Sequence, residues 1–205
     1  MRQLDCRNKG LKPIACEKEP TLWGMTNAFN FYIEELKPLI IENCTQPMDG
    51  FHGLETHTNA VVFRGIDYAL HLGKEPLPVV FACAFHDMAR VNDDAECEHG
   101  KNAVPKAIKI MKEFQNKSEF QQILDQQTRI SILSAIMNHT TGNIATDYIA
   151  ACLWDADRTR LAWQYGFEEK FFNTQRGKYV AGHPAHKYIK YQQELFPHLL
   201  WNKEY

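Results

Sequence analysis

The chain has 205 residues, of which 44% are hydrophobic and 23% are charged, and its net charge is −2. This length and composition are typical of one globular domain that buries a sizeable core. The near-neutral charge argues against a nucleic-acid-binding protein and gives no electrostatic attraction to an anionic membrane, so we expect neither partner.

The N-terminal part predicts an irregular leader over residues 1–25, because Gly10, Pro13 and Pro20 interrupt any regular pattern. It has no apolar signal core, and no run in the chain approaches the ~18 apolar residues that span a bilayer. The six cysteines are scattered without a CxxC pair, which favours free thiols in a reducing compartment. We therefore expect a cytoplasmic protein; homo-oligomerisation is left open.

The remaining residues, 26–200, are predicted to form a single all-α bundle of about six to eight helices. Apolar spacing and turn signals place these helices at about 27–43, 54–72 (ended by Gly73), 76–87 (begun by Pro76 and Pro78), 103–114, 118–139 (with a capping box at Ser118, and either continuous or broken near 126), 146–165 (ended by Gly166) and 185–196. A polar loop at 92–98 and a loop-rich basic tail at 173–184 separate them. No stretch alternates strongly enough to predict a sheet.

The adjacent pair His86-Asp87 closes the apolar run of residues 77–85. Burying an imidazole beside a carboxylate is costly unless both are paired, and a metal ion satisfies both groups. Helical periodicity also places His57 and His139 on inward faces, and His99 is a further candidate. Several ionisable groups on inward faces of different helices would be expensive to bury without a shared ion.

Two aspartates near the end of the chain need to be distinguished. Asp157 lies at the edge of the apolar face of its helix, four residues after Leu153, which makes it the better ligand. Asp155 is predicted to point away from that face, either supporting a ligand from behind or lying at the surface.

The order His57, His86-Asp87, Asp157 resembles the HD superfamily of metal-dependent phosphohydrolases, an all-α fold named for its His-Asp pair. The resemblance covers about residues 50–165. The segment FACAFHDMAR is similar to the family's apolar helix that ends in HD, and LWDADRTRLA resembles its late DADR element, in which the second aspartate is the ligand. Many members also carry a His-Gly after the HD pair, here His99-Gly100, and a later histidine.

The resemblance implies that His57, His86, Asp87 and Asp157 hold one metal ion, and that His99 and His139 hold a second ion bridged by Asp87. The ion would be Mn, Fe, Co, Ni or Zn, or else Mg. One bacterial branch of the superfamily has a tighter His-Gly-x-x-His spacing than His52-Gly53 with His57, which leaves His52 as an alternative first ligand.

Five cations are candidate substrate contacts. Arg64 lies seven residues after His57 and hence on nearly the same helix face, and relatives place a phosphate-contacting cation at the position of Arg158. With Asp87, these two arginines are the catalytic candidates. The other three cations are Lys101 in the loop around His99, and Arg176 and Lys178 in the basic tail. A surface charge or an ion pair is the alternative for each.

The sequence therefore predicts a metal-dependent phosphohydrolase that uses a metal-activated water on a small phosphate ester, either a nucleotide or another phosphomonoester. Two alternatives are retained. Some HD-fold proteins with extra histidines are di-iron oxygenases, and others are non-catalytic modules that bind a ligand. The complete set of predicted ligands argues against the last.

Overall fold

The computed structural model describes residues 22–94 and 97–199, so the predicted leader lies outside it up to residue 21. Every regular element among these residues is a helix, which confirms the all-α class. The α-helices are α1 (Leu22–Phe31), α2 (Lys37–Asn43), α3 (Asn59–His71), α4 (Leu77–Phe85), α5 (His99–Gln115), α6 (Gln126–Asn138), α7 (Tyr148–Tyr165), α8 (Gln175–Ala181) and α9 (Ala185–Leu195). Shorter elements are π turns at Tyr32–Leu36 and Leu54–Thr58, and 3-10 turns at Ser118–Phe120 and Glu169–Phe171.

Local signals set most helix ends. The side chains of Asp125 and Asp147 accept hydrogen bonds from the amides of the first turns of α6 and α7. Gly73 and Gly166 follow α3 and α7 with φ angles of 64° and 110°, in the left-handed region that favours glycine. The helical stretch predicted from residue 118 to residue 139 is broken, since α6 begins at Gln126. The capping box predicted at Ser118 does not form, since that residue starts a 3-10 turn without a side-chain cap.

Three elements differ from the sequence prediction. Helix α1 begins at Leu22, within the predicted leader, and α5 begins at His99, which was predicted to lie in a loop. The predicted loop-rich tail contains α8, which Thr174 caps by accepting from the amide of Gly177. A seven-residue helix is too short to show an apolar period, and only its capping threonine signals it.

The core surrounds α3, which packs against α1, α4 and α7. Buried side chains from Met25 to Phe196 form one hydrophobic cluster. The cysteines that the structure describes are all free thiols (Cys44, Cys83, Cys97 and Cys152). None of the described helices combines the length and the apolar composition needed to cross a bilayer.

The packing of α4 to α7 positions the predicted ligands. Helix α4 is buried along nearly its whole length and ends at Phe85, so His86 and Asp87 lie in the turn that follows it. The first turn of α5, the end of α6 and the middle of α7 reach the same place. The fold thus delivers polar groups from separate helices to one end of a buried helix.

Candidate metal centre

The structure brings all six predicted ligands together. They come from the π turn before α3, the turn after α4, the start of α5, the end of α6 and the middle of α7. All are buried except Asp157, whose side chain is 21% exposed. Three overlapping groups of these residues could hold a metal ion: His57 with His86 and Asp87, His86 with His139 and Asp157, and Asp87 with His99 and His139.

Four of these residues form what we call the first donor set: His57, His86, Asp87 and Asp157. His57 Nε2 lies 3.4 Å from His86 Nε2, 3.7 Å from Asp87 Oδ2 and 3.0 Å from Asp157 Oδ1. His86 Nε2 lies 3.4 Å from Asp87 Oδ2 and 3.8 Å from Asp157 Oδ1. Ligand atoms about 2.1 Å from one ion are roughly 3.0–3.4 Å apart at octahedral to tetrahedral angles. The first donor set is close to that spacing.

The second donor set consists of Asp87 Oδ1 and the Nε2 atoms of His99 and His139. The carboxylate oxygen lies 2.9 Å from His99 Nε2 and 3.6 Å from His139 Nε2, and the two nitrogens are 2.8 Å apart. Asp87 therefore presents one oxygen to each set. This carboxylate is placed to bridge two cations.

The backbone fixes which nitrogen two of the histidines present. His86 Nδ1 donates to the carbonyl of Cys83 at 2.7 Å, and His139 Nδ1 donates to the carbonyl of Ile136 at 2.7 Å. Because a carbonyl only accepts, each Nδ1 carries a proton, and Nε2 is the nitrogen whose lone pair each ring, when neutral, directs into the centre. Lone pairs that converge at these distances repel one another unless a proton or a metal ion lies between them, so the donor chemistry fits a metal ion.

The electrostatics keep the carboxylates ionised. Burial opposes the ionisation of Asp87, but His86 and His139 outweigh it and hold the pKa of this carboxyl well below its usual range. Burial likewise opposes the ionisation of Asp157, but His57 and His86 outweigh it and lower the pKa of this carboxyl. Burial lowers the pKa of His86, yet the Asp87 carboxylate outweighs it and raises that pKa to about 9, so without an ion the ring holds a proton that a bound metal would displace. The two ionised carboxylates therefore attract a positive charge, either this proton or a metal ion.

The packing of α5 against α6 shows why a glycine, Gly100, follows His99. A Cβ atom at this position would lie 2.5 Å from the carbonyl oxygen of Ile136 and 2.8 Å from His139 Nδ1. Real Cβ atoms do not approach that closely, so only glycine lets the first turn of α5 lie against the end of α6. This close approach is what brings the second donor set together.

A cavity of about 270 Å³ opens above the ligands. Its wall includes five of the six predicted ligands, three arginines and a small apolar edge; the lining residues are Phe51, His52, His57, Asp87, Arg90, Cys97, His99, His139, Thr140, Asp157, Arg158, Arg160 and Leu161. Typical ligand pockets measure about 300–1,000 Å³. The cavity therefore suits a small molecule, and its arginines suit an anion.

Of the five predicted substrate cations, Arg158 lines the cavity. Its Nη1 donates to the carbonyl of Phe171 at 3.0 Å, and its Nη2 donates to the carbonyls of His139, at 3.5 Å, and Gly142. These carbonyls hold the guanidinium in place at the cavity wall.

The other four cations lie outside the cavity wall. Arg64 is fully buried, and its Nε donates to the carbonyl of Ala156 at 2.8 Å. Seven residues along a helix keep a side chain on the same face but move it about 10 Å along the axis, which takes Arg64 away from His57 and into the core. The remaining cations form ion pairs: Arg176 with Asp67, Lys101 with Glu98, and Lys178 with Glu169. None of these four cations lines the cavity, so the structure gives no support to their predicted contact with substrate, which stays a prediction.

Arg160 also lines the cavity, and the sequence prediction did not include it among the candidate substrate contacts. It is nearly buried, its guanidinium lies 3.6 Å from the ring centroid of Phe51, and its Nη1 donates to the Phe51 carbonyl. A signal was present in the sequence, because residues three apart share a helix face. Arg160 follows the ligand Asp157 at that spacing.

His52 lies in the cavity wall but belongs to neither donor set. Its Nδ1 is 3.1 Å from Asp93 Oδ1, and its amide donates to the same oxygen at 2.8 Å. Burial, and to a smaller extent the neighbouring His57, lowers the pKa of His52 to about 4. The structure therefore places His57, and not the alternative His52, among the candidate ligands.

Asp155 is not a surface group, contrary to one of the two alternatives offered for it. It is fully buried and accepts hydrogen bonds from the amides of Asn173 and Thr174, at 2.8 and 2.6 Å, and from Thr174 Oγ1 at 2.8 Å. It holds the segment before α8 against α7. The residues that contact it, Asn173 and Thr174, are polar, so the apolar pattern of α7 gave no sign that this side is buried.

Comparison with models of protein families, with curated proteins and with solved structures found no match to this chain. What is established at the site is therefore its own geometry, in which buried histidines and aspartates could hold a metal ion beneath a small cavity lined by arginines.

Proposed function

We propose that this chain is a metal-dependent phosphohydrolase of the HD superfamily that acts on a small phosphate ester. One observation carries the proposal: in the first donor set, His57 and His86 each lie 3.0–3.8 Å from the other three donors, beneath a small cavity lined by arginines. Metal ligands alone would fit many reactions. Ligands together with arginine side chains in one cavity are the combination that phosphate chemistry requires.

The residues of the donor sets also narrow the choice of ion. Four imidazoles and two carboxylates suit Mn, Fe, Co, Ni or Zn better than Mg, which prefers oxygen ligands and water. A bound ion of this kind would lower the pKa of a water molecule and polarise a phosphoryl oxygen. In this proposal the first donor set holds the ion, with Nε2 of His86 oriented by the Cys83 carbonyl and with Asp87 ionised.

The arginines bind the phosphate. Arg158 is fixed by backbone carbonyls and Arg160 by the ring and carbonyl of Phe51, so little side-chain entropy is lost when an anion binds. A guanidinium also matches the paired oxygens of a phosphate. A cavity of about 270 Å³ suits a small phosphomonoester better than a long chain.

The test is phosphate release by the purified protein from p-nitrophenyl phosphate, nucleotides and sugar phosphates, each with Mn²⁺, Co²⁺, Ni²⁺, Zn²⁺ or Mg²⁺. We expect release that depends on the metal and is abolished in Asp87→Ala. Arg160→Ala should raise KM by at least tenfold. Lys101→Ala is the matched control, because this side chain is 67% exposed and paired with Glu98, and it should leave the kinetics unchanged.

Two results would contradict the proposal. One is the absence of phosphate release from every substrate while metal is bound. The other is release that survives in Asp87→Ala, since a contaminating phosphatase would then be responsible.

The second donor set favours a second candidate function, an oxygenase with two iron ions. Asp87 Oδ1, His99 and His139 offer the extra ligands that such a centre needs. Iron content and oxygen consumption separate the two functions: the oxygenase requires two iron ions per chain and consumes oxygen, whereas the phosphohydrolase works anaerobically with redox-inert ions. A non-catalytic module would bind metal and show neither activity.

A further inference from the structure

The side chain of Arg90 reaches into the second donor set. It is 9% exposed and comes from the turn that follows α4. Its Nε donates to Asp87 Oδ1 at 3.3 Å and its Nη1 donates to the carbonyl of Asp94 at 2.9 Å, while its Nη2 lies 3.5 Å from His99 Nε2. The carbonyl bond anchors the guanidinium in this position.

These contacts use atoms that a second metal ion would need. An ion bound to His99 Nε2 and Asp87 Oδ1 would lie beside a guanidinium whose Nη2 is 3.5 Å from the first atom and whose Nε donates to the second. The guanidinium is always charged, so it also repels a divalent ion held by Asp87 Oδ1. Arg90 thus supplies to the second donor set the positive charge that an ion would otherwise supply.

The first donor set differs in this respect. The three contacts of Arg90 go to Asp87 Oδ1, His99 and the Asp94 carbonyl, and Asp87 turns its other oxygen, Oδ2, to the first donor set. Arg90 therefore supplies its positive charge to the second donor set, and none of these three contacts is to an atom that faces the first donor set.

We infer that Arg90 is a built-in cation of the second donor set, so that the chain binds one divalent ion, in the first donor set. The inference rests on the metal centre of the proposed function and deepens it by fixing the number of ions. It also predicts that a single substitution converts the centre from one ion to two.

The test counts bound metal. Wild type, Arg90→Met and Arg90→Lys are stripped with a chelator, equilibrated with excess Mn²⁺, separated from free ion and measured by mass spectrometry of the metal. We expect one ion per chain in wild type and in Arg90→Lys, which keeps the charge, and two in Arg90→Met, which keeps the length. In Arg90→Met the electron paramagnetic resonance spectrum should change from that of isolated Mn²⁺ to that of a coupled pair.

Adding His99→Ala to Arg90→Met should return the count to one, because it removes a ligand of the second donor set. Two ions in wild type, or one ion in a folded Arg90→Met, would overturn the inference. Arg90→Gln gives the same test if the methionine variant does not fold. None of these counts needs catalysis, so an inactive protein that shows them refutes only the phosphohydrolase, whereas a wild type that binds no ion refutes the metal centre itself.

Discussion

Replacing Arg176 by alanine should lower stability and leave substrate affinity unchanged, although the sequence suggested a substrate contact. Its Nε and Nη2 donate to the carboxylate of Asp67 at 2.9 and 3.4 Å, and the Asp67 side chain is fully buried. Each hydrogen bond to a charged group contributes about 1.5–3 kcal/mol. The Arg176 side chain is 24% exposed, and Tyr188 and His71 still contact Asp67 in the variant. We therefore expect a loss of about 2 kcal/mol.

Urea denaturation followed by circular dichroism measures this loss, and for a chain of this size it corresponds to a fall in Tm of about 4–8 °C. Lys178→Ala is the matched control, since Lys178 lies on the same short helix and pairs with Glu169, which is 70% exposed. An exposed pair contributes about 0–1 kcal/mol. Equal losses in the two variants, or a raised KM in Arg176→Ala with full stability, would refute the reasoning.

The pH dependence gives an independent check on the same pair. Burial raises the pKa of Asp67, but the hydrogen bonds from His71 and Arg176 outweigh it, so the net pKa is lowered. A lowered folded-state pKa contributes stability above the unfolded value of about 3.9, and this contribution is lost as pH falls through the folded pKa. The difference between wild type and Arg176→Ala should therefore be full near pH 7 and shrink below pH ~4.

Three further predictions follow from the site and its supports. Gly100→Ala should cost about 1–3 kcal/mol through overpacking against His139, measured by urea denaturation; an unchanged midpoint would mean that α5 and α6 are not in close contact. Asp155→Ala should cost about 3 kcal/mol, because it leaves buried amides before α8 without an acceptor; a loss below 1 kcal/mol would show that this segment is held by other contacts. Mn²⁺ at about 100 times its Kd should stabilise the protein by about 2.7 kcal/mol, reversed by a chelator; a Tm indifferent to both would argue against a metal centre.

The helices and the ligand set could be predicted because their signals are local. Asp147 and Gly166 mark the ends of α7 with a capping side chain and a left-handed glycine, and such signals act through neighbouring residues. The candidate ligands could be identified because ionisable groups on the apolar faces of helices are rare and costly to bury. These signals do not depend on which helices meet.

The positions of Arg176, Asp155 and Arg64 could not be assigned in this way, because they depend on long-range packing. Arg176 is adjacent to its partner Asp67 only because α8 lies against α3, and the two are 109 residues apart in sequence. Asp155 is buried by Asn173 and Thr174, whose position no periodicity reports. Arg64 shares a helix face with His57 yet lies in the core, which a face argument alone cannot distinguish.

The hydrogen bonds of His86 and His139 to main-chain carbonyls bear on how the centre tolerates mutation. Each ring donates to the carbonyl of the residue three positions earlier, Cys83 or Ile136, at the end of its own helix. Main-chain oxygens remain whatever side chain the residue carries, so no substitution of a supporting residue deletes either acceptor. The main chain at each helix end therefore fixes the orientation of these two rings. During divergence, residues of the cavity wall could therefore change while these two rings keep their geometry.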